Sequence, residues 1–274
     1  MIIYIPDGEQ KDKAISRTTH LAISAHQDDI EFMAYAPIAE CFGKADKWFS
    51  GVVVTDGAGS PRSGLYADYT DEEMKEVRIA EQKKAAEVGE YSFQMLLGYP
   101  SKEVKAPKNT AIVKELAEII RSAKPKYLYT HNLADKHETH VATAIKVIAA
   151  LRTLKAEERP EKVYGCEVWR DLDWVNDEEK VYMDCGAHPN LMRCLSAVFD
   201  SQIAGGKRYD LASEGRRLAN TTFSASHACD TYTALNYAMD ITPLMDEKTD
   251  IAEYITGYIE RFKKSVTETI RKFL

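Results

Sequence analysis

Two short segments of this 274-residue chain concentrate side chains that bind metals and move protons. Residues 26–29 (H-Q-D-D) place one imidazole and two adjacent carboxylates directly after an apolar run. Residues 131–140 (H-N-L-A-D-K-H-E-T-H) hold three of the seven histidines, and His137 and His140 would share one face of a helix. A helix-capping aspartate with scattered histidines is the structural alternative, but this clustering favours a site.

Together the two segments can supply a metal site. An open catalytic zinc takes three imidazole or carboxylate ligands plus a water, whose pKa it lowers to about 7. One aspartate of residues 26–29 would remain as a general base. The spacing of His137 and His140 is one residue short of H-E-x-x-H, and no C-x-x-C pair exists, so metalloprotease and zinc deaminase patterns fit less well. The same ligand types suit Fe²⁺ and other divalent ions.

The elements that must position these segments alternate along the chain. Strands are predicted over residues 20–25, 48–55, 93–97, 126–130, 162–168 and 180–183. Helices are predicted over residues 30–42, 70–89, 109–123, 139–154 and 190–203, and apolar residues at helical spacing predict a docked amphipathic helix over 251–270. This alternation predicts an α/β fold of three layers with a mostly parallel sheet, whose strands carry the chemistry at their carboxyl ends. Residues 1–274 are expected to form a single domain. The sequence pattern defines its structure least over about 205–274.

The two polar segments also carry a family resemblance. Residues 25–31 (A-H-Q-D-D-I-E) resemble the A-H-P-D-D-I-E signature of the N-acetylglucosaminyl deacetylases, the PIG-L or LmbE-like family. Residues 135–142 (D-K-H-E-T-H-V-A) are similar to its D-x-H-P-D-H-x-A motif. Weaker similarity lies in T-D-G at 55–57, in R-x-x-E from Arg78, and in S-Q at 201–202, so the resemblance spans roughly residues 20–205.

The resemblance implies a role for each site residue. By this resemblance His26, Asp29 and His140 bind zinc, Asp28 is the general base, and His137 stabilises the oxyanion. The implied reaction is zinc-dependent hydrolysis of an N-acetyl amide on an amino sugar or glycoconjugate, within a Rossmann-like fold. A carboxylate that takes a proton from water and later protonates the amine is consistent with that chemistry.

Three further residues are candidate contacts for a small N-acetylated sugar. Arg78 and Asp56 belong to the weaker motifs, and His227 lies in a polar stretch from which it could reach the pocket. An isolated arginine is more often a surface ion-pair residue, and the resemblance is what favours Arg78.

The clearest departure from the family pattern concerns His137. Thr139 stands where the family has the aspartate that orients this histidine, so Asp135 or Glu138 is expected to take over that role. Tyr35 also replaces a glycine of the first helix. An alternative function is therefore a non-catalytic metal-binding protein of the same fold that binds a sugar-like ligand. The retained Asp28 favours catalysis, because a closed structural site does not need it.

Composition excludes several other classes. The formal charge of −7 and pI of about 5.6 leave no clustered excess of Lys and Arg for nucleic acid. No G-x-G-x-x-G or G-x-S-x-G occurs, which argues against a dinucleotide site and a serine hydrolase elbow. Five cysteines without C-x-x-C spacing do not predict a disulfide scaffold. No signal sequence or membrane span is predicted, so a cytoplasmic location is expected; the sequence does not determine an oligomeric state.

Overall fold

A computed structural model describes residues 1–274, with one eight-stranded sheet at its centre. The strands are β1 (Ile2–Tyr4), β2 (His20–Ser24), β3 (Phe49–Thr55), β4 (Gln94–Tyr99), β5 (Tyr127–His131), β6 (Lys162–Cys166), β7 (Val181–Asp184) and β8 (Leu235–Asp240). Their spatial order is β1-β4-β3-β2-β5-β6-β8-β7. The five strands β4, β3, β2, β5 and β6 are parallel, while β1, β8 and β7 pair antiparallel with their neighbours. The predicted mostly parallel α/β sheet is thus confirmed.

Helices cover both faces of the sheet. They are α1 (Lys11–Ser16), α2 (Asp29–Met33), α3 (Tyr35–Cys41), α4 (Asp71–Val88), α5 (Ser101–Val104), α6 (Thr110–Ala123), α7 (Glu138–Thr153), α8 (Pro189–Ala197), α9 (Asp200–Ile203), α10 (Tyr209–Phe223) and α11 (Ile251–Arg271). Along β2, Leu21 and Ile23 pack toward α6 and α7, whereas Ala22 packs toward α2, α3 and α8. This alternation of buried side chains is what a sheet covered on two faces requires.

The predicted helix over residues 30–42 is broken into α2 and α3 at Ala34. Pro37 has no N–H to donate to the carbonyl of Met33, so a continuous helix would be strained there. The carbonyls of Glu31 and Phe32 instead accept hydrogen bonds from the Arg217 guanidinium at 3.0 and 2.9 Å. The break is therefore built into the sequence and satisfied by a side chain from α10.

The C-terminal helix α11 is docked along its first half only. Ile255 and Tyr258 are buried in the core, and the Tyr254 hydroxyl donates to the Asp240 carbonyl at 2.7 Å. The apolar stripe continues through Ile259 and Ile270, which are exposed. No helix in the chain is both long enough and apolar enough to cross a bilayer.

The order of the central strands determines where a site can form. The chain passes from β2 to β3 and β4 on one side of the sheet, then returns through β5 and β6 on the other side. The carboxyl ends of β2 and β5 are therefore adjacent at the point where the winding direction reverses, which is where open α/β sheets bind ligands. This arrangement brings the turn at residues 25–29 against residues 131–140.

Candidate metal centre and active site

Three donor atoms from the two turns form a compact triangle. Nδ1 of His26 lies 3.1 Å from Oδ2 of Asp29 and 3.2 Å from Nε2 of His140. The third side, from His140 Nε2 to Asp29 Oδ2, measures 3.3 Å. Metal–ligand bonds of about 2.0–2.1 Å in a tetrahedral zinc site separate neighbouring donors by roughly 3.3–3.4 Å. The triangle therefore has the donor types and spacing of three zinc ligands.

A carboxylate behind His140 orients this ring. Oδ2 of Asp135 lies 3.3 Å from Nδ1 of His140 and leaves Nε2 to face Asp29 and His26, the arrangement that is typical of metal-ligating histidines. Burial opposes the charge, but the Asp29 and Asp135 carboxylates raise the pKa of His140 to about 9. Burial likewise opposes ionisation of Asp29, yet His140 and His131 hold its pKa well below its usual value. A metal ion would therefore displace a proton from His140.

His131 lies in the same cluster, although the sequence suggested no role for it. Its Nε2 is 3.5 Å from Asp29 Oδ2, and its ring stacks on His140 with 3.9 Å between centroids. The same Nε2 accepts the Ala25 N–H at 2.8 Å. Because an acceptor nitrogen in use cannot also ligate a metal, His131 supports the triangle from behind. The donor group of Asp29, His131 and His140 is correspondingly less suited to a metal, whereas His26, His137 and His140 form a further group with three imidazole donors.

His137 lies beside the triangle without the carboxylate partner expected for it. Its ring is 4.6 Å from that of His140 between centroids, and its Nδ1 is buried with no hydrogen-bond partner. Asp135 accepts the main-chain N–H of His137 and contacts the ring of His140 instead, while Glu138 is exposed and faces Lys105 at 3.6 Å. Neither carboxylate replaces the missing one at Thr139. Burial, with the charges of His140 and His26, lowers the pKa of His137 to about 4.

Asp28 precedes α2 in a backbone conformation that is unusual for a side-chain-bearing residue, with φ of 90°. Its N–H donates to Oε1 of Gln82 at 3.2 Å, and Nε2 of Gln82 donates to the buried Glu31 carboxyl at 2.8 Å. The Tyr91 hydroxyl donates to the same Glu31 oxygen at 2.7 Å. This buried network holds the strained turn in place and aims the Asp28 carboxylate.

Arg78 forms an ion pair with the Asp28 carboxylate. It is 1% exposed, and its Nη2 lies 3.2 Å from Oδ2 of Asp28 and donates to the Gln27 carbonyl. Its Nη1 is 3.4 Å from Glu81, which in turn accepts the Ser201 hydroxyl at 2.7 Å. Burial raises the pKa of Asp28 to about 7, with Arg78 opposing and Asp29 adding to the shift. Burial therefore favours the protonated form of Asp28, while the Arg78 guanidinium favours the carboxylate.

A cavity of about 610 Å³ opens above these groups. His26, Asp28, Asp29, His137 and Thr139 line its floor, together with Arg78 and Gly57. Its rim, which we define as Trp169, Lys207, Ser213 and Arg216, comes from the irregular segment after β6 and from residues at and before α10. The sequence did not indicate the rim, because no element was assigned to residues 205–223.

Two predicted substrate residues do not line this cavity. The Asp56 carboxylate turns back to accept the Ala58 N–H at 3.2 Å, and it faces Lys75 at 3.5 Å. His227 is exposed in the segment between α10 and β8. The T-D-G turn contributes Gly57 to the cavity wall instead of the Asp56 carboxylate.

Comparison with known proteins bears on this geometry. Residues 21–151 match the PIG-L family of GlcNAc-PI de-N-acetylases. This segment is therefore similar to a PIG-L domain. It includes both turns, the whole donor triangle and the helix that carries Arg78, so the predicted family resemblance is confirmed. No curated protein sequence matches the chain.

Solved structures share the fold at low sequence identity. N,N'-diacetylchitobiose deacetylase from Pyrococcus horikoshii aligns with a TM-score of 0.64 and 13% identity, over 86% of this chain and 88% of that chain. The conserved protein TT1542 from Thermus thermophilus aligns at 0.62 and 18%, over 82% and 95%. The 4-carboxy-2-hydroxymuconate hydratase GalB from Pseudomonas putida aligns at 0.62 and 16%, over 85% and 100%. Since one of these proteins is a deacetylase and another is a hydratase, their structural similarity to this chain supports the fold alone.

A first prediction concerns Gly57, whose φ is 77°. A Cβ atom there would lie 2.7 Å from Oε1 of Gln27 and 3.1 Å from Cβ of Arg78. Gly57→Ala is expected to displace Arg78 and to lower stability by about 1 kcal/mol or more, measured by thermal unfolding. Gly59→Ala is the matched control, because a Cβ on this other cavity-lining glycine meets nothing within 4 Å. Equal unfolding temperatures in the two variants would contradict this account.

A second prediction concerns the donor triangle. Alanine at His26, Asp29 or His140 is expected to abolish binding of one divalent metal per chain, measured by elemental analysis after dialysis. His131→Gln is the control, and it should keep the metal. Because the pKa of His140 is about 9, metal affinity should rise about tenfold per pH unit as pH increases toward that value. Full metal occupancy in His140→Ala would remove that residue from the ligand set.

Proposed function

We propose that the protein is a zinc-dependent de-N-acetylase that hydrolyses the N-acetyl group of an amino sugar or glycoconjugate. The observation that carries this proposal is the donor triangle, two of whose residues (His26 and Asp29) line one cavity, with the Asp28 carboxylate outside the triangle and beside it. The PIG-L family match points to the substrate class. A cytoplasmic location stays a prediction.

His26, Asp29 and His140 are the residues that would hold the metal. When bound, zinc supplies Lewis-acid polarisation of the acetyl carbonyl and makes a water more acidic. Fe²⁺ would satisfy the same imidazole and carboxylate donors. The identity of the native metal is therefore part of the experiment below.

Asp28 is assigned the proton transfers. Its carboxylate takes a proton from the water whose oxygen attacks the acetyl carbon, and it then returns a proton to the amine nitrogen as the C–N bond breaks. The products are the free amino sugar and acetic acid, which then ionises to acetate, so both protons of the water are accounted for. The pair with Arg78 at 3.2 Å keeps the carboxylate aimed into the cavity, and the Gln82 hydrogen bond fixes its main chain.

His137 is assigned the stabilisation of the negative charge that develops on the acetyl oxygen. Its Nδ1 has no hydrogen-bond partner in the chain, so no protein group dictates which ring nitrogen carries the proton. With a pKa of about 4 the ring is neutral at pH 7 in the absence of metal and can still donate one N–H to a developing oxyanion. This differs from the imidazolium that an orienting carboxylate would favour.

Metal analysis combined with amine release from a panel of N-acetylated sugars tests the proposal. Metal-dependent release of the amine is the expected result. A protein that retains the metal triangle, binds the sugars and releases no amine would instead be the non-catalytic alternative.

A third prediction separates the base from the ligands. Asp28→Asn preserves the shape of the side chain but removes its ability to accept a proton, so turnover should fall by roughly 10² or more. Metal content should remain that of the wild type. Activity close to wild type in this variant would show that another group takes the proton.

A fourth prediction concerns the missing carboxylate at Thr139. A carboxylate beside His137 favours the imidazolium, so Thr139→Asp should raise the pKa of His137 from about 4. Below about pH 4 the ring is protonated in both variants, so their activities should be similar there. Above about pH 4 only Thr139→Asp keeps the imidazolium, so its activity relative to Thr139→Asn should rise with pH through the interval between the two pKa values. The measurement is the pH–rate profile of both variants, which share nearly the same side-chain shape. A ratio that is independent of pH would show that His137 protonation does not affect the rate.

A further inference from the structure

Two cations line the rim of the cavity without a carboxylate partner. Lys207 is exposed, and no acidic oxygen lies within ion-pair distance of its ammonium. Arg216 is half-buried and donates through Nη1 to the carbonyl of Val168. Its Nε and Nη2 donate to no protein group, so most of its hydrogen-bonding capacity remains available toward the cavity.

Two other cations near the rim each have an acidic partner. Arg208, next to Lys207, pairs with Asp210 at 2.8 Å. Arg193 on α8 pairs with Glu214 of α10 at 2.6 Å. The two rim cations are thus left without an acidic partner, whereas Arg208 and Arg193 each have one. The third cation that lines the cavity, Arg78 at its floor, is also paired.

One buried carboxyl, that of Glu167, lies close enough to Arg216 for the two charges to interact. Glu167 is 1% exposed, and its Oε1 accepts from Asn220 at 2.7 Å and from the Tyr237 N–H at 2.9 Å. Its Oε2 accepts the Leu172 N–H at 3.1 Å. Glu167 weakens the positive potential of Arg216, but its oxygens accept these three hydrogen bonds and form no ion pair with the guanidinium, which remains available to a ligand.

The rim cations are connected to the candidate active site by one aromatic ring. The Trp169 ring lies 6.2 Å from His137 between centroids, and the Lys207 ammonium lies 5.3 Å from the centre of the same ring. A substrate whose acetamide reaches His137 would therefore extend over Trp169 toward Lys207. The cavity of about 610 Å³ has room for more than one N-acetylated sugar ring.

We propose that the rim of the cavity binds an anionic group, carboxylate or phosphate, which the N-acetylated substrate carries away from its acetamide. Lys207 contributes a point charge, and the free edge of Arg216 contributes a planar pair of donors that matches the oxygens of either anion. The proposal rests on the de-N-acetylase function above and narrows its substrate class from N-acetylated sugars in general to acidic ones. Both cations lie outside residues 21–151, so the PIG-L match does not assign them.

The experiment compares matched substrates on the zinc-loaded full chain. The methyl and carboxymethyl glycosides of N-acetylglucosamine differ by one carboxylate, and N-acetylglucosamine is compared with its 1-phosphate and 6-phosphate. Amine release gives kcat/KM for each, and the anionic-to-neutral ratio is determined for wild type, Lys207→Met, Arg216→Gln and the control Arg208→Gln. We expect a ratio above about ten in wild type and the control, falling about tenfold in Arg216→Gln and less in Lys207→Met, mainly through KM.

The outcomes distinguish this proposal from the one on which it rests. Release from neutral and anionic sugars at equal kcat/KM, or a ratio unchanged in Arg216→Gln, overturns the anionic site and leaves the deacetylase function standing. If no sugar releases amine, calorimetry with N-acetylglucosamine and its 6-phosphate and 1-phosphate decides the matter. Tighter binding of a phosphate that is lost in Arg216→Gln supports the anionic site without the reaction, and equal binding rejects both. A preference for only the carboxymethyl glycoside or only a phosphate identifies which anion the rim binds.

Discussion

One oxygen atom, Oδ2 of Asp29, organises the site. It accepts the N–H of His26 at 2.7 Å and lies 3.1 Å from that residue's ring, 3.3 Å from His140 and 3.5 Å from His131. A carboxylate that is 3% exposed would be costly without such partners, and the imidazoles would likewise lose stabilisation without it. The pairing of β2 with β5 brings these groups together. The site therefore depends on these two strands being neighbours in the sheet. A metal ion would substitute for the excess proton that the carboxylates hold on His140.

The second constraint is the strained turn that separates Asp28 from Asp29. Adjacent aspartates in a regular helix would project on different sides, yet here one is a metal-donor candidate and the other lines the cavity beside it. The positive φ of Asp28 makes this possible, and the Gln82 and Glu31 network holds the turn from within the core. Burial of so many polar groups is tolerated because most have partners. The exceptions include Nδ1 of His137 and Nδ1 of His131 beside the donor triangle, and also Oε2 of Glu31 within the network itself.

The sequence predicted the centre of this arrangement and missed its rim, for a physical reason. Strands β2 to β6 and helices α4, α6 and α7 have the apolar runs, capping residues and glycine stops that local patterns indicate, and Thr70 with Glu73 does form the capping box. Helix α10 has no such pattern, because its buried face is polar (Arg217, Asn220 and Thr221) while Leu211, Leu218 and Phe223 are exposed. Strand β8 is buried on both faces and so shows no alternation. The partner of the His140 ring was equally unpredictable, since spacing could not tell whether Asp135 would face His137 or His140.

Adjacent residues of α10 connect the rim to the metal turn. Arg217 donates to the carbonyls of Glu31 and Phe32 at the end of α2, whose first residue is Asp29. Arg216, one position earlier, points instead to Val168 and the cavity. Consecutive residues on a helix project about 100° apart. One arginine of α10 can therefore hydrogen-bond to the turn that carries Asp29, while its neighbour is directed toward a ligand. The distance from the donor triangle to Arg216 is therefore fixed by a buried guanidinium on the same helix, and the length of an accepted substrate should depend on it.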